Sequence, residues 1–289
     1  GKVVFLLYHS SCKPTGRKLG GKLIELRPHG VHYGISPERA SAYSPVIRWG
    51  YSGIIPGVFD EGDILQPLHS MQMAQNKYET LCVLDGESIP VPPFYPREHV
   101  DEARHRGAIT NQIFFLRKFH HTRGEDIRIV NGLDHWSRMK WNYAVEYVPT
   151  HKEYRVHVFD GKVLFVQKKV FDPELFNRIC DERSISNADR DILEETREMV
   201  RNYSHGYKFI SVNNHQRAVP PSVIKNSLEA IEALGLDFGA VDISSLDERD
   251  RNGKRKSIVW EVNTAPAIDT ERGLEAYARA IINHRWRRR

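Results

Sequence analysis

The chain has 289 residues, of which 40% are hydrophobic and 27% charged, with 20 glycines and 15 prolines; this is an ordinary globular composition and excludes collagen-like repeats and small disulfide scaffolds. At about 150 residues per domain, the length predicts two domains or one large α/β unit carrying an insertion. The net charge of +5, from 42 Lys and Arg against 37 Asp and Glu, does not argue for nucleic acid, because Arg285, Arg287, Arg288 and Arg289 supply four of the cations and the body is nearly neutral without them.

The longest uninterrupted apolar run, Val3 to Tyr8, falls far short of the roughly 18 residues a membrane span needs, and no small-residue cleavage pattern follows it. No membrane partner is expected. Cys12, Cys82 and Cys180 are an odd number, lie far apart and form no C-x-x-C pair. That usage fits a reducing, cytoplasmic setting.

Lys2 to Tyr8 is apolar and β-branched, and after Ser10, Ser11, Pro14 and Gly16 the residues Leu19, Leu23 and Leu26 recur at helical spacing within Lys18 to Leu26. The order predicted is strand, turn, helix. The segment Ser10 to Arg17 reads either as an anion cradle near a helix N-terminus or as a plain strand-to-helix turn. Pro45 to Tyr51 predicts a second strand, followed by a loop with Gly53 and Gly57, so a small βα layer is expected to about residue 75. Leu68 to Leu84 predicts one helix ending at Asp85-Gly86. Ile89-Pro90-Val91-Pro92-Pro93 then forces extended chain.

Five short runs follow: Ile113 to Phe119, Ile127 to Val130, Asn142 to Tyr147, Tyr154 to Phe159 and Val163 to Val170. Asp160-Gly161, between the last two, is a hairpin signal. Beyond Asp172-Pro173, Asp189 to Val200 predicts a helix. Pro220-Pro221-Ser222 opens another, with Val223, Ile224, Leu228, Ile231 and Leu234 on one side and Gly235 as its stop. Phe238 to Ser244 and Ser257 to Asn263 predict strands joined by a charged loop with Asn252-Gly253 at its tip. Glu271 to Ile282 predicts a last helix.

The chemistry concentrates in Asp237 to Ile243 and Trp260 to Pro266. If these strands pair antiparallel, Asp242 can face the same side as Glu261 and Asn263, since residues i and i+2 share a face. Two carboxylates and an amide offer hard oxygen ligands that suit Mg²⁺. A carboxylate such as Glu261 on an apolar strand is costly to bury without a cation. The alternative is that Glu261 and Asn263 end a strand and enter a turn at Pro266. Other motifs are weaker: His120, His121 and His157 lack metal-ligand spacing, and no G-x-S-x-G, Walker A or G-x-G-x-x-G pattern occurs.

A long amphipathic helix, the turn Leu234-Gly235-Leu236-Asp237-Phe238-Gly239, a strand ending in Asp242 and then Glu261-Val262-Asn263-Thr264-Ala265-Pro266 form an order that resembles the C-terminal core of the ATP-grasp superfamily. The resemblance spans about Asn76 to Ile268. It implies an α+β or α/β ATP-grasp fold in three parts: an N-terminal βα domain (1–75), a small lid domain (76–147) and a C-terminal antiparallel-sheet core with the basic tail (148–289). It also implies ATP between lid and core, with Mg²⁺ at Asp242, Glu261 and Asn263; two ions are expected, Mn²⁺ being an alternative. Glu146-Tyr147-Val148 looks like the hinge whose backbone pairs with adenine. Glu153 sits where the family places its ribose-binding carboxylate.

Asn76-Lys77 resembles the start of the lid, where a lysine reaches phosphate. Leu116-Arg117-Lys118-Phe119, followed by His120-His121-Thr122-Arg123-Gly124, resembles the lid strand and its phosphate-covering loop, with Arg117 or Lys118 as the cation. The loop departs from the family pattern in having one glycine and two histidines. Some family ligases carry an arginine two residues before the metal aspartate, but this chain has Ala240 there. Another cation must serve, either Arg155 or one of Lys168-Lys169; alternation admits only one of the two lysines, and Lys168 is preferred. Tyr207, Phe209, Asn213, Asn214, His215 and Arg217 read equally as the lining of an acceptor pocket and as a surface loop. The activity the resemblance implies is ATP-dependent ligation of a small-molecule or peptide carboxylate to an amine through an acyl phosphate. A small-molecule kinase and an ATP-binding regulatory module are the alternatives, and a homodimer is one option for assembly.

Overall fold

The computed structural model describes residues 4–8, 23–27, 30–33, 46–50, 64–99, 112–119, 127–131, 140–268 and 270–284. Among the described residues, three sheets succeed one another along the chain. The first contains β1 (Val4–Tyr8), β2 (Leu23–Arg27), β3 (Gly30–Tyr33), β4 (Val46–Trp49) and β5 (Ile64–Leu65), in the order β3-β2-β1-β4-β5. β1 runs antiparallel to β2 and parallel to β4. The helix expected over Lys18 to Leu26 is, in its described part, strand β2, with Leu26 opposite Val4 and Leu23 opposite Leu7. A short apolar run satisfies both periods, and the unpaired edge of β1 decides between them. The segment Ser10 to Arg17 lies outside the described residues.

The first sheet is stapled to the third at Gln66. Its backbone N–H donates to Asp237 Oδ2 (2.6 Å), its side-chain oxygen accepts from the Asp237 N–H (2.8 Å) and its Nε2 donates to the Phe238 carbonyl (2.6 Å). Gln66 adopts φ +73°, a left-handed conformation costing roughly 1–2 kcal/mol for a residue with a Cβ. Three hydrogen bonds, one buried and two partly buried, offset that strain.

The single helix expected over Leu68 to Leu84 is two, α1 (Leu68–Gln75) and α2 (Lys77–Gly86). Asn76 divides them. Its backbone is extended, and its Oδ1 accepts from the N–H groups of Tyr78 (3.2 Å) and Glu79 (3.4 Å), capping α2. The second sheet, β6 (Phe94–Pro96), β7 (Ile113–Arg117), β8 (Arg128–Asn131) and β9 (Tyr143–Glu146), is antiparallel in the order β6-β9-β7-β8. Alternation sorts its side chains: Phe114 and Leu116 pack with Trp141 and Ala144, whereas Phe115, Tyr143 and Val145 pack with Leu81 of α2. The expected phosphate-covering loop, His120 to Asp126, lies outside the described residues.

The third sheet contains β10 (Lys152–Phe159), β11 (Lys162–Phe171), β12 (Tyr207–Ser211), β13 (Phe238–Arg249) and β14 (Arg255–Asn263), antiparallel in the order β12-β11-β10-β13-β14. Asp160 (φ +49°) and Gly161 (φ +68°) make the expected hairpin. Helices α3 (Pro173–Glu182), α4 (Asn187–Thr196) and α5 (His215–Ala218) lie between β11 and α6 (Pro221–Ala233), and α7 (Glu271–Asn283) follows β14. Gly235, at φ +64°, stops α6, and the Leu236 N–H closes back on the Ile231 carbonyl (3.0 Å). Among the described residues, no helix is long and apolar enough to cross a membrane.

One face of this sheet, with Tyr154, Val156, Val158, Val166, Val241, Ile243, Val259 and Val262, is buried against Val223, Ala230 and Ile231 of α6; each such aliphatic contributes about 1.5–3 kcal/mol. The opposite face is divided. At one end α7 covers it, Tyr277 and Ile281 packing with Phe159, Phe165, Phe238 and Trp49. At the other end stand charged side chains.

His157 marks the boundary. It is fully buried, with Nδ1 3.0 Å from Tyr277 Oη and Nε2 3.1 Å from Gln167 Oε1, and it stacks on Phe165. Burial pushes its pKa down from 6.5 to about 4. The folded imidazole is thus neutral where the unfolded one takes up a proton, so stability is lost as pH falls from about 6.5 towards 4. Burial shifts His205 in the same direction. Urea unfolding should give a smaller free energy at pH 5 than at pH 7, and His157→Gln should flatten that dependence; an unchanged slope would place the acid sensitivity elsewhere.

Candidate active site

The charged end of the third sheet is built by register. Arg155 on β10 lies opposite Asp242 on β13, and Asp242 lies opposite Glu261 on β14. A guanidinium and two carboxylates therefore stand in a row across three strands. Arg155 Nε donates to Asp242 Oδ1 (2.7 Å) and Nη2 to Oδ2 (2.8 Å), a fork in which each partner fixes the other. Asn263 Nδ2 reaches Asp242 Oδ2 at 3.4 Å. Burial works against the Arg155 charge, but the Asp242 carboxylate outweighs it and the guanidinium pKa is raised. The β13–β14 register shifts between Asp242 and Ile243, making Trp260 the extra residue, and its Nε1 donates to Ser244 Oγ (2.8 Å). Such a bulge re-aims the neighbouring side chain, here Glu261.

Glu261 receives its cations from the second sheet and its helix. Lys77 Nζ is 3.0 Å from Glu261 Oε1 and donates to the Val262 carbonyl (2.8 Å), and Arg117 Nη2 is 3.9 Å from Glu261 Oε2. Lys77 is the first residue of α2, and its backbone N–H donates to the Phe119 carbonyl (3.0 Å) just past β7. A lysine at a helix N-terminus opposes the macrodipole. Glu261 supplies the compensating charge, and together the ammonium and the helix end make an electropositive spot suited to anions. Of Arg117 and Lys118, alternation turns Arg117 to the Phe115 and Tyr143 face, towards Glu261, and leaves Lys118 exposed.

The register of β10 and β11 sets Lys168, the preferred lysine, apart from the charged row. Phe159 pairs with Lys162 and Val158 with Val163, but His157 pairs with Phe165, so Leu164 is bulged out. Without that bulge Lys168 would lie opposite Glu153; with it, Lys168 pairs with Tyr154 and shares the α6 side of the sheet. Lys169 takes the other face and forms the ion pair with Glu153. One inserted residue thus exchanges the two lysines. Phe209, on β12 opposite Lys169, stands over both Lys169 and Arg155. The stretch read as lining or loop is in its first half this edge strand. Tyr207, Phe209 and Ser211 alternating with Lys208 and Ile210 was the available signal.

Glu146, Tyr147 and Val148, the residues expected to form the hinge, lie at and just beyond the end of β9, before β10. The Glu146 N–H donates to the Pro93 carbonyl and the Tyr147 N–H to the Ile113 carbonyl, each at 2.8 Å. Both donors serve the sheet. Burial raises the Glu146 carboxyl pKa.

No group of three or more His, Cys, Asp and Glu suited to a metal occurs among the described residues. What converges is the two carboxylates of Asp242 and Glu261 with the Asn263 amide. Such an oxygen set fits a hard divalent cation whose other ligands come from phosphate and water. Three carboxylates, Glu153, Asp242 and Glu261, meet four cations, Lys77, Arg117, Arg155 and Lys169. The patch therefore carries one more cation than carboxylate among these seven side chains.

No protein-family model and no curated protein sequence matches the chain. Solved structures do. D-alanine-D-alanine ligase from Bacillus anthracis is similar at a TM-score of 0.55 and 15% identity, over 85% of this chain and 82% of that one. The same ligase complexed with ATP is similar at 0.50 and 14%, over 85% and 76%. Macrocyclase MdnC from Microcystis aeruginosa MRC, bound with precursor peptide MdnA, gives 0.48 and 14% over 97% and 86%. At such identity the similarity concerns fold, not activity. Mixed α/β architecture, antiparallel sheets and the likeness to the D-alanine-D-alanine ligase agree: the chain has the ATP-grasp fold.

Proposed function

We propose that the chain is an ATP-dependent carboxylate-amine ligase working through an acyl phosphate. The observation that carries this reading is the row Arg155–Asp242–Glu261 with Lys77, Arg117 and Lys169 around it, on an ATP-grasp fold. Residues 1–75, 76–147 and 148–289 are taken as the N-terminal, lid and core domains. Asp242, Glu261 and Asn263 would hold Mg²⁺, two ions in this reading. When bound, Mg²⁺ neutralises charge on the phosphates.

The chain's own residues do the rest. Lys77 and Arg117, now paired with Glu261, are within reach to take phosphate oxygens instead. Glu153 is assigned to ribose. Adenine would be met at the hinge by carbonyl groups and the Val148 N–H, because the N–H groups of Glu146 and Tyr147 are spent. Arg155, cross-strand from Asp242, supplies the cation that Ala240 lacks, and it faces the transferring group. A substrate carboxylate oxygen attacks the γ-phosphorus as the bond to ADP breaks. The amine then attacks the acyl carbon, loses a proton and expels orthophosphate. Lys77, Arg117 and Arg155 stabilise the charge in both steps, and no side-chain nucleophile is required.

The test is oxygen tracing with a panel of small-molecule and peptide carboxylates and amines. ¹⁸O from a labelled carboxylate should appear in the released phosphate, in proportion to the amide made. Phosphate retained on a hydroxyl product would replace this reading with a kinase, and nucleotide binding without product would leave a regulatory module.

A further inference from the structure

Phe209 belongs to neither of the hydrophobic clusters that form the core of the third sheet. It sits half-buried on the edge strand β12, among the polar residues Glu153, Arg155, Gln167 and Lys169. Its ring centroid is 4.2 Å from Arg155 Cζ and 5.2 Å from Lys169 Nζ. An aromatic ring under two cations on an otherwise polar face is not explained by core packing.

Arg155 is restrained in two ways. Asp242 engages one edge of the guanidinium, through Nε and Nη2, and Cζ stands over the Phe209 ring, 4.2 Å from its centroid, at stacking distance. A guanidinium carries five N–H donors, and no hydrogen bond among the described residues engages Nη1. The second edge is thus left to meet a ligand. The carboxylate alone would fix where the guanidinium is but permit tilt about the line of its two hydrogen bonds. The ring removes that tilt without consuming a donor, since cation–π attraction acts on the face and leaves in-plane N–H groups available.

We propose that Phe209 is a positioning residue: its ring sets the plane of Arg155, so that the open Nη1 edge faces the anionic group being transferred, and it keeps Lys169 alongside. The identity of that anion, the acyl phosphate, rests on the ligase reading; the ring–guanidinium geometry does not. The anion class recognised is a phosphoryl or carboxylate group offering oxygens in the guanidinium plane.

The experiment compares Phe209→Leu, which removes the ring at similar volume, with Phe209→Tyr, which keeps it. In ¹⁵N-arginine-labelled protein, the Arg155 Nε–H resonance, identified by its loss in Arg155→Lys, should be ring-shifted in the wild type and in Phe209→Tyr and move downfield in Phe209→Leu. Phe209→Leu should lose roughly 10- to 100-fold in kcat, the scale of a misplaced catalytic group, with nucleotide KM and thermal stability near wild type. Phe209→Tyr should restore kcat. Calorimetric affinity for MgADP with orthovanadate should fall in Phe209→Leu, while that for MgADP alone should not. An unmoved resonance, or unimpaired amide synthesis by Phe209→Leu, would overturn the positioning role. A wild type that makes no amide but whose vanadate affinity still depends on the ring would overturn the ligase reading and keep Phe209 in its role.

Discussion

Glu261→Gln should abolish turnover, by at least about 10³-fold, and leave the fold intact. The substitution keeps the shape and one acceptor oxygen but removes the charge that Lys77 at 3.0 Å and Arg117 at 3.9 Å now share. Leaving a buried ion without its partner costs about 3–5 kcal/mol. The loss here should be smaller, about 1–2 kcal/mol, because the Gln oxygen can still accept from Lys77 and Lys77 keeps the Val262 carbonyl. Scanning calorimetry should therefore find a folded protein with a modest fall in Tm. Mn²⁺ titrated in the presence of ADP and followed by electron paramagnetic resonance should show weakened binding to the variant. A variant with full activity would remove Glu261 from the metal set. A collapsed Tm would mean that its first duty is to neutralise Lys77.

The parts of the site legible in the sequence were those that break a local rule. Asp242 and Glu261 are charged residues inside apolar strands, a cost that folding alone would not select; Lys77 came only through the family resemblance, and its place at a helix N-terminus emerged with the split at Asn76. Because side-chain direction in a strand has period two, the facing of Asp242, Glu261 and Asn263 followed once the two strands were paired. What stayed hidden was set by tertiary pairing. β2 carries a run that is apolar at both periods, and only the edge of β1 resolves it. Asn76 splits a helical pattern by capping, a choice its neighbours do not announce. The Glu146 and Tyr147 N–H groups are claimed by Pro93 and Ile113, which lie far away in sequence. Bulges are the hardest of all, since a single unpaired residue reverses the facing of everything beyond it.

Lys169→Met should lose roughly 100-fold in kcat/KM for nucleotide, whereas Lys168→Met should stay close to wild type. The two residues are adjacent and chemically identical, so composition and overall charge cannot distinguish them. Only the bulge at Leu164 does, by pairing Lys168 with Tyr154 on the α6 side and turning Lys169 to Glu153, Phe209 and Arg155. Lys169→Met also strands the Glu153 carboxylate in a largely buried place, and its side chain is only 14% exposed. Part of any loss could then come from a displaced Glu153, and the double variant Lys169→Met, Glu153→Gln separates the two effects. If Lys169 acts on phosphate, the double variant is impaired well beyond Glu153→Gln alone. If its work is only to hold Glu153, the double variant matches Glu153→Gln in activity and recovers stability. Equal losses at Lys168 and Lys169 would contradict the alternation that one register imposes, and a larger loss at Lys168 would mean that β10 and β11 pair in solution without the bulge.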